Sequence, residues 1–517
     1  MYNLADDLVD RHVRDARGDR MAIVSEGRQV TYRELSELVN RVGHALTARG
    51  VTAGDRVLLV LLDSLEFVAA FLGTAKIGAV AVPTNTTLRT ADYAYFLEET
   101  RAAAVIVHAA LLSEVAPALE RPRQRLDNRI VVVGDRVSGY SHWDDWLDGR
   151  PGALDAAATV GTDDAFWLWT SGSTGKPKAA VHRHRDWAYC AANYAVGVLG
   201  LTASDVTFSS SKLFHAYGLG NSLAFPLYAG ATTVLSPARP QAKTVLEFVQ
   251  QTRPTLFFSV PTLYAAMLQE APGGDYDLSS VRLAVSAAEP LPAEIFRRWK
   301  ERFDIEILDG LGSTEVLHIY LSARAGEVRP GSSGTPVPGY DILVVDADGH
   351  YVSAGTVGDL LVSGDSRAVG YWNRPELTAD RMRGRWFVTG DKYSVDADGY
   401  YWYAGRADDM FKVSGQWVSP IEIESTLVEH ASVLEAAVIA FQEESKLHTA
   451  KAFVVLRQGC TAGSELAKEL QDFVKARLTP YKCPRRIEFL AELPKSAAGK
   501  VLRYKLRESA SAPDGVA

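Results

Sequence analysis

The sequence has few cysteines and little excess charge. Three cysteines occur among 517 residues, at Cys190, Cys460 and Cys483, without the spacing of metal ligands. This low, odd count predicts free thiols in a reducing compartment rather than a disulfide framework. Lys and Arg number 55 against 63 Asp and Glu, a net charge of −8. That balance disfavours nucleic acid or an anionic membrane surface as a partner.

Long apolar runs are also missing. The longest, such as Val57–Leu62 and Ile77–Val82, are far shorter than the ~20 residues that a membrane-spanning helix needs. The N-terminal residues MYNLADDLVD are charged throughout and lack the apolar stretch of a secretory signal. We therefore expect a cytoplasmic protein that makes no use of a membrane.

Strand-length apolar runs alternate with helical patterns along most of the chain. Val57–Leu62 predicts a buried strand, Ser64–Lys76 a helix, and Ala79–Val82 another strand. This alternation favours an α/β fold of layered, mostly parallel sheets. Further runs predicted as strands are Ala103–Val107, Phe166–Trp169, Thr232–Leu235, Leu256–Ser259, Leu283–Ser286 and Glu306–Leu308.

The chain length and a change in the sequence pattern predict more than one domain. A chain of 517 residues is too long for one core, because single cores stop growing near ~250–300 residues. From about Asp341, short strands joined by Asp-Gly turns predict a β-rich subdomain that completes the large domain. We expect a large N-terminal domain of residues 1–405, a hinge at 406–409, and a small, mobile α+β domain of residues 410–517. Ser419, followed by Pro420 and then Glu422, predicts a helix start in the small domain.

The strongest motif is a loop rich in Gly, Ser and Thr at residues 167–178, WLWTSGSTGKPK. Glycines allow backbone amides to converge on an anion, and the lysines supply charges suited to phosphate. A flexible surface turn has a similar composition, so the loop alone leaves both interpretations open. Only two residues separate Gly172 from Gly175, which disfavours a Walker-type NTPase or kinase.

This motif resembles the phosphate loop of adenylate-forming enzymes, the superfamily of acyl-CoA synthetases, peptide-synthetase adenylation domains and luciferases. The superfamily's other motifs are matched in order by Tyr32–Leu35, Gly310–Glu315, Thr389–Asp391, Gly405–Arg406, Lys412–Gly415 and Pro494–Lys500. Within the superfamily, the chain is similar to benzoate-CoA ligases and related aryl-CoA ligases over 213–227, 259–268, 308–322, 334–342 and 392–424. The resemblance implies ATP-dependent activation of an aromatic acid to its acyl-AMP with release of pyrophosphate. Transfer to coenzyme A would follow, with Mg²⁺ as the metal.

The resemblance also implies a role for each matching residue. Catalytic roles belong to Lys500, Glu315, Thr314 and Lys178, and the metal ligands would be Glu315 and Thr174. The nucleotide would contact Thr170, Ser171, Gly172, Ser173, Thr174, Gly175, Ala287, Ala288, Glu289, Asp309, Gly310, Gly312, Ser313, Asp391 and Arg406. The aromatic acid would contact His215, Ala216, Tyr217, Gly218, Gly312, His318 and Ile319. The hinge would be Asp408, and the thiol channel would be lined by Lys412, Ser414, Gly415 and Trp417.

Each role suits its residue type, yet each residue also has a plainer interpretation. The Asp391 carboxylate can accept both ribose hydroxyls, but Asp also suits a simple Asx turn. Lys500 is a compact, mobile charge of the kind that can enter and leave a site with its domain, but most lysines are simply solvated. Glu315 is a metal ligand by the resemblance and a loop acid otherwise. The agreement of several motifs in order favours the functional roles.

The identity of the acid depends on His215. In amino-acid-activating relatives, an aspartate in the matching segment binds the substrate's amino group, so a histidine there disfavours an α-amino acid. Benzoate-CoA ligases often carry an aromatic hydrocarbon at this position. A histidine can donate or accept a hydrogen bond, which predicts a hydroxy- or amino-benzoate. Alternatively His215 packs as a ring wall, and unsubstituted benzoate remains open.

Two other functions remain open. The acceptor could be the phosphopantetheine thiol of an acyl carrier protein rather than coenzyme A, since both present the same arm. The chain could also be a catalytically degenerate nucleotide-binding sensor, although every expected functional position is filled. The sequence leaves open whether the protein is a monomer or a homodimer.

Overall fold

The computed structural model describes residues 1–120, 126–170, 176–270, 276–407, 409–413, 416–442, 448–495 and 501–511. Within them the strands are β1 Met21–Ser25, β2 Arg28–Thr31, β3 Arg56–Val60, β4 Val80–Pro83, β5 Ala104–His108, β6 Ile130–Val133, β7 Ser141–His142, β8 Asp164–Thr170, β9 Lys178–Arg183, β10 Val206–Ser209, β11 Thr232–Leu235, β12 Leu256–Ser259, β13 Leu283–Ser286, β14 Ile307–Gly312, β15 Ile319–Ser322, β16 Thr335–Pro336, β17 Asp341–Val345, β18 Gly358–Ser363, β19 Gly370–Tyr371, β20 Met382–Arg383, β21 Trp386–Val395, β22 Tyr401–Arg406, β23 Phe411–Val413, β24 Gln416–Val418, β25 Val433–Gln442, β26 His448–Leu456 and β27 Arg486–Phe489.

The α-helices of the same residues are α1 Arg11–Arg14, α2 Tyr32–Thr47, α3 Leu65–Lys76, α4 Thr90–Thr100, α5 Leu112–Leu119, α6 Trp143–Leu147, α7 Asp186–Cys190, α8 Ala216–Leu219, α9 Phe225–Ala229, α10 Ala242–Thr252, α11 Pro261–Glu270, α12 Ala293–Phe303, α13 Pro375–Arg381, α14 Pro420–Val428, α15 Ser464–Lys475 and α16 Arg503–Ser511. Short π-helical segments lie at Asp6–Asp10, Ala191–Val196 and Gly220–Ala224, and 3₁₀ turns at Ala109–Leu111, Asp127–Arg129, Thr314–Val316 and Pro480–Lys482.

Two large, mostly parallel sheets form the framework. Sheet I has the order β19-β9-β8-β4-β3-β5-β6-β7, and only its β9 and β19 pairings are antiparallel. Sheet II has the order β16-β15-β14-β13-β12-β10-β11-β1-β2, with antiparallel pairs at its two ends. Within the described residues these sheets confirm the predicted α/β fold.

Sheet I is covered on both faces, which explains why its strands read as continuous apolar runs. Side chains alternate along a strand, so Val57 and Leu59 of β3 enter the core shared with sheet II, whereas Leu58 and Val60 enter a second core under α4 and α5. Sheet II is buried in the same way, because Phe258 faces the shared core and Phe257 faces α10–α12.

Helix α3 shows how local sequence fixes these layers. Ser64 caps its N-terminus by accepting a hydrogen bond from Phe67 N at 3.3 Å, as its position before the apolar run predicts. Every residue of the helix except Glu66 is buried, including Lys76 at its C-terminal end. The Lys76 ammonium group is compensated by Asp10 Oδ2 at 2.7 Å and by the side chain of Asn40.

A smaller antiparallel sheet, sheet III, follows in the chain. Strands β17-β18-β21-β20 form it, and β22 pairs with β21. This confirms the β-rich structure expected from about Asp341.

Further along the chain, β25, β26 and β27 form a sheet of their own. At the predicted start of α14, Ser419 Oγ accepts a hydrogen bond from Glu422 N at 3.3 Å. The hinge at 406–409 stays a prediction.

Most predicted strands lie within two residues of the observed ones, but β14 is longer. The apolar run ends at Leu308, whereas the strand continues to Gly312, because β15 folds back and pairs with residues 310–312. By pairing with β14, the next strand of the chain thus extends it through Asp and Gly, which have low strand propensity. No helix of the described residues is long and apolar enough to cross a membrane.

Candidate active site

The two ends of the phosphate-loop motif are adjacent strands of sheet I. Thr170 ends β8 and Lys178 begins β9, and the two residues are directly paired. Lys178 is half-buried, and its Nζ lies 4.1 Å from the centre of the Tyr371 ring. Burial lowers the pKa of Lys178, and the charge of Glu315 acts in the opposite direction. The hairpin therefore presents an ammonium group beside a carboxylate.

Glu315 lies in the 3₁₀ turn between β14 and β15 and is almost fully buried. Its Oε1 accepts a hydrogen bond from the Tyr371 hydroxyl at 2.7 Å. Burial and the nearby carboxylate of Glu315 raise the pKa of Tyr371, so the phenol keeps its proton and remains a donor. The second carboxylate oxygen is not engaged by this tyrosine.

The turn that carries Glu315 and Thr314 has a defined local geometry. Ser313 caps it, since its Oγ accepts a hydrogen bond from Val316 N at 3.2 Å. Leu317, which follows the turn, has a φ of 76°, a left-handed conformation that is uncommon for a non-glycine residue. Such a conformation persists only where the surrounding structure enforces it. Glu315 precedes Leu317 and His318 follows it, so both lie on the short connection between β14 and β15.

Asp391 and Arg406 lie opposite each other on β21 and β22. Arg406 Nη1 donates to Asp391 Oδ1 at 3.0 Å and to Thr389 O at 3.1 Å. The Asp391 carboxylate is buried, whereas the Arg406 side chain is 42% exposed. Asp391 and Arg406, both predicted to bind the nucleotide, therefore form an ion pair. The arginine of this pair faces solvent and the aspartate is buried.

Ala287, Ala288 and Glu289, predicted to contact the nucleotide, follow β13. Ala287 is buried, and Ala288 has a φ of 78°, a second left-handed non-glycine residue. Both carboxylate oxygens of Glu289 accept from Thr262 Oγ1 at 3.1 Å. The strained backbone at Ala288 is held by neighbours rather than favoured by its own side chain.

Asp309 on β14 is a buried carboxyl group of the predicted site. It is 6% exposed, and burial raises its pKa well above the ordinary value. Its Oδ2 accepts from Leu291 N at 3.5 Å, and Oδ1 has no hydrogen-bond partner among the described residues. A buried acceptor without a partner is unfavourable unless a ligand donor reaches it.

His318, predicted to contact the aromatic acid, is surrounded by aromatic side chains, which form an aromatic enclosure around it. The ring of His318 is buried, and its centroid lies 4.4 Å from that of Phe225, 5.5 Å from Tyr194, 5.6 Å from Tyr217 and 6.3 Å from Trp187. Burial lowers its pKa to about 3, so the imidazole is neutral at physiological pH. The Tyr217 hydroxyl points away from this enclosure and donates to backbone carbonyls of β12 and β13.

Two glycines of the pocket cannot carry a side chain. A Cβ at Gly312 would lie 2.7 Å from the carbonyl oxygen of His318, and one at Gly218 would lie 2.2 Å from that of Lys212. Both obstacles are backbone atoms, so the tight contacts between strand, turn and helix depend on glycine. At Gly310 the obstacle is the side chain of Ile319, 2.9 Å away.

His215 occupies the N-cap position of α8, directly before the buried Ala216. The residue as a whole is partly exposed, but its Nε2 is buried, and the ring lies 4.5 Å, centroid to centroid, from the ring of Phe214. The side chain does not cap the helix. The geometry is compatible with both predicted roles, the hydrogen-bonding group and the ring wall.

Several predicted site residues lie outside the described residues: Ser171, Gly172, Ser173, Thr174, Gly175, Asp408, Ser414, Gly415 and Lys500. Of the thiol channel, the backbones of Lys412 and Trp417 are directly paired across β23 and β24. The roles of all these residues stay predictions.

Tyr371 is a site residue that the sequence analysis missed. It belongs to the two-residue strand β19, which pairs with β9 so that Tyr371 lies opposite Ala180. The pairing joins segments far apart in the chain, and nothing local in the sequence marks Tyr371 among 21 tyrosines. Only the folded sheet brings its hydroxyl to Glu315.

Comparison with known proteins identifies the family. The model of the AMP-binding enzyme family matches residues 9–372, and the model of the AMP-binding enzyme C-terminal domain matches residues 422–500. The chain belongs to the AMP-binding enzyme family. The resemblance to adenylate-forming enzymes is therefore confirmed.

Full-length relatives agree with this assignment. The chain is 46% identical to a benzoate–CoA ligase of Thauera aromatica, covering 98% of this chain and 96% of that protein. It is 43% identical to a 4-hydroxybenzoate–CoA/benzoate–CoA ligase of Rhodopseudomonas palustris, covering 98% and 94%. Among solved AMP-binding enzymes, an anthranilate CoA ligase in complex with anthranoyl-AMP superposes with a TM-score of 0.93 at 43% identity, covering 98% of this chain and 97% of that one.

Proposed function

We propose that this chain is an AMP-forming aryl-CoA ligase. It joins an aromatic carboxylic acid to AMP and then transfers the acyl group to the thiol of coenzyme A. One observation carries the proposal: the connection between β14 and β15 holds a buried carboxylate, Glu315, three residues before His318, the centre of an uncharged aromatic enclosure. Relatives named for benzoate, hydroxybenzoate and anthranilate match the whole chain at 43–46% identity, which supports both half-reactions.

The described residues fit a magnesium–nucleotide complex. We assign the ribose to the Asp391–Arg406 pair and the adenine amino group to Asp309, whose Oδ1 is a buried acceptor without a partner among the described residues. Lys178 supplies a cation for phosphate oxygens. Glu315 offers the hard oxygen ligand that Mg²⁺ prefers, and Thr174 is its second proposed ligand. When bound, Mg²⁺ offsets part of the phosphate charge.

The first half-reaction forms the acyl-adenylate. A carboxylate oxygen of the acid attacks the α-phosphorus of ATP, a new P–O bond forms, and the bond to the bridging oxygen of pyrophosphate breaks. Both reactants are anions, so nearby cations must offset their repulsion. We assign this role to Lys178 and Lys500. Tyr371 holds one oxygen of Glu315, which leaves the other for the metal.

The second half-reaction replaces AMP with a thiol. The sulfur of coenzyme A forms a bond to the acyl carbon, the bond to the AMP oxygen breaks, and the thiol proton is released. A good leaving group makes this step feasible, because AMP replaces the oxide of the free acid. We propose that residues 406–409 act as the hinge by which a small domain exchanges Lys500 for the loop from Lys412 to Trp417.

The aromatic side chains around His318 favour a substrate acid with a flat, uncharged ring. The described side chains that contact His318 are aromatic, and the imidazole itself is neutral, so these groups offer no positive charge to a second carboxylate. Gly310 and Gly312 let β14 pack closely against the Ile319 side chain and the His318 backbone, which holds His318 in its position. We propose benzoate or a hydroxy- or amino-benzoate, with His215 hydrogen-bonded to the substituent.

The products test the proposal. The protein is incubated with ATP, Mg²⁺, coenzyme A and one acid at a time: benzoate, 2-aminobenzoate, 3- and 4-hydroxybenzoate, cinnamate and a fatty acid. We expect AMP, pyrophosphate and the aroyl-CoA ester for at least one benzoate, detected by chromatography with mass spectrometry. ADP as product would contradict the mechanism, and aroyl-AMP that only an acyl carrier protein discharges would redirect the second step. Nucleotide binding without turnover of any acid would favour the sensor.

A further inference from the structure

The turn Thr314–Val316 is held by three donors from other parts of the chain. The carbonyl of its first residue faces His182 Nε2 at 2.8 Å, that of its second accepts from Ala368 N at 2.8 Å, and that of its third accepts from Ser366 Oγ at 2.8 Å. A single 3₁₀ turn has little stability of its own. Its position is therefore set by these neighbours.

His182 is itself fixed on every side. It is fully buried, and its ring stacks on Phe166 with centroids 5.3 Å apart and an interplanar angle of 13°. Its Nδ1 lies 3.3 Å from Asp186 Oδ2. Thr314 O and the Asp186 carboxylate can both only accept, so the two contacts need a hydrogen on each ring nitrogen, as in the imidazolium form: Nε2 donates to Thr314 O and Nδ1 to Asp186 Oδ2. The Asp186 carboxylate therefore orients the imidazole ring through Nδ1, and the ring holds the turn through Nε2.

The Asp186 carboxylate also reaches the other two donors indirectly. It accepts from Arg183 N at 2.9 Å and Arg183 Nε at 3.0 Å. The far end of the same guanidinium donates to the carbonyls of Asp365 and Arg367 at 2.6 and 3.0 Å. These two residues flank Ser366, which caps the last carbonyl of the turn. One fully buried carboxylate therefore supports the turn through both His182 and Arg183.

Strand β9 carries both His182 and Lys178, which is a predicted catalytic residue. Lys178 and His182 are four residues apart on the strand, so their side chains leave the same face. Between them, Ala180 pairs with Tyr371, whose hydroxyl binds Glu315. A buried His–Asp pair is more often a purely structural anchor, but here its hydrogen bonds lead, directly or through Arg183, to the turn that bears Glu315 and to the residues that hold this turn.

We propose that His182, oriented by Asp186, is a positioning residue for Glu315 in the adenylation half-reaction. Its hydrogen bond to Thr314 O fixes the peptide that precedes Glu315 and so directs the carboxylate toward the metal-bound nucleotide. This rests on the proposed function. The residue touches neither substrate nor metal, and it acts only through the turn.

His184 provides a matched control. It lies two residues further along, is equally buried, and its Nδ1 accepts from Leu4 N at 3.0 Å. This contact leads to the N-terminal segment rather than to the turn. Replacing His182 or His184 removes the same ring from a buried site, so a difference between the two variants in catalysis reports the contact with Thr314 O.

The test uses H182N, H182Q and H184N in the full chain. A glutamine amide reaches about as far as Nε2 and can donate to Thr314 O, whereas an asparagine amide is too short. We measure the urea dependence of unfolding, the calorimetric affinity for ATP with Mg²⁺, the kcat and KM of pyrophosphate release, and thioester formation from supplied aroyl-AMP.

We expect H182N to lower the kcat of pyrophosphate release about 10- to 100-fold, to weaken magnesium–ATP binding, and to leave thioester formation within about 2-fold of wild type. H182Q should recover most of the loss, and H184N should lose stability only. Equal losses in both half-reactions, or no difference between H182N and H184N, would overturn the proposal. If H182N does not fold, Asp186→Asn gives the same comparison with the ring in place. A wild-type protein without AMP-forming activity would instead refute the proposed function.

Discussion

Replacing Tyr371 with Phe tests the assignment of Glu315 with a change of one atom. The substitution removes the hydroxyl that donates to Glu315 Oε1 at 2.7 Å. It keeps the ring, and with it the contact with Lys178 Nζ, which lies 4.1 Å from the ring centre. The burial of Glu315, only 8% exposed, means that water replaces the lost donor poorly.

The expected effect follows from the chemistry of that hydrogen bond. A hydrogen bond to a buried charged group contributes about 1.5–3 kcal/mol, and 1.4 kcal/mol corresponds to a factor of ten. If the hydroxyl holds the carboxylate in its reactive orientation, the variant should form acyl-adenylate roughly 10- to 100-fold more slowly. The thioester step from supplied aroyl-AMP should be nearly unchanged, because it does not use the metal.

Pyrophosphate release over a range of Mg²⁺ concentrations measures the effect, and Tyr32→Phe is the control. The Tyr32 hydroxyl is equally buried and donates to Ala231 O at 2.7 Å, in a part of the shared core away from Glu315. Both variants should lose stability, but only Tyr371→Phe should raise the Mg²⁺ concentration that gives half-maximal rate. Equal catalytic behaviour of the two variants would refute the assignment.

Three further predictions address other residues. Lys500→Ala should slow adenylation by orders of magnitude yet still convert supplied aroyl-AMP to the thioester, as single-turnover assays of each step would show; an equal loss in both steps would contradict the assigned role. His215→Phe should shift kcat/KM toward unsubstituted benzoate and away from hydroxy- and amino-benzoates, and an unchanged ranking of acids would leave His215 as a ring wall. Burial raises the pKa of Asp63 to about 6, so protonation of its carboxyl group stabilises the fold at low pH and this stabilisation is lost as pH rises through 6. The urea-derived stability of Asp63→Asn relative to wild type should therefore increase by about 1 kcal/mol from pH 5 to pH 7, and a constant difference would contradict the raised pKa.

Local patterns in the sequence predicted much of the fold. The strands Thr232–Leu235, Leu256–Ser259 and Leu283–Ser286 are observed with the predicted bounds, because buried parallel strands are continuous apolar runs between turn residues. The extension of β14 to Gly312 escaped prediction, since it depends on a partner strand rather than on the run itself.

Some site residues were predicted from local sequence motifs, whereas others are recognised only by contacts between distant parts of the chain. Motifs placed Asp391 and Arg406 near each other in the chain, and β21 and β22 do pair them. Tyr371 and His182 could not be found in this way, because their contacts with the Glu315 turn join segments more than fifty residues apart. Asp186 reaches the turn only through His182 and Arg183. Such residues carry no motif of their own and become visible only when the sheet has formed.

The central claim is that the carboxyl oxygen of an aromatic acid becomes bonded to the phosphorus of AMP. It is tested most directly with benzoate, or the best benzoate of the panel, carrying ¹⁸O in both carboxyl positions. With ATP, Mg²⁺ and coenzyme A, the AMP produced should contain one ¹⁸O atom and the aroyl-CoA ester the other, as read by mass spectrometry. Unlabelled AMP alongside aroyl-CoA would contradict an acyl-adenylate intermediate and with it the account of this site.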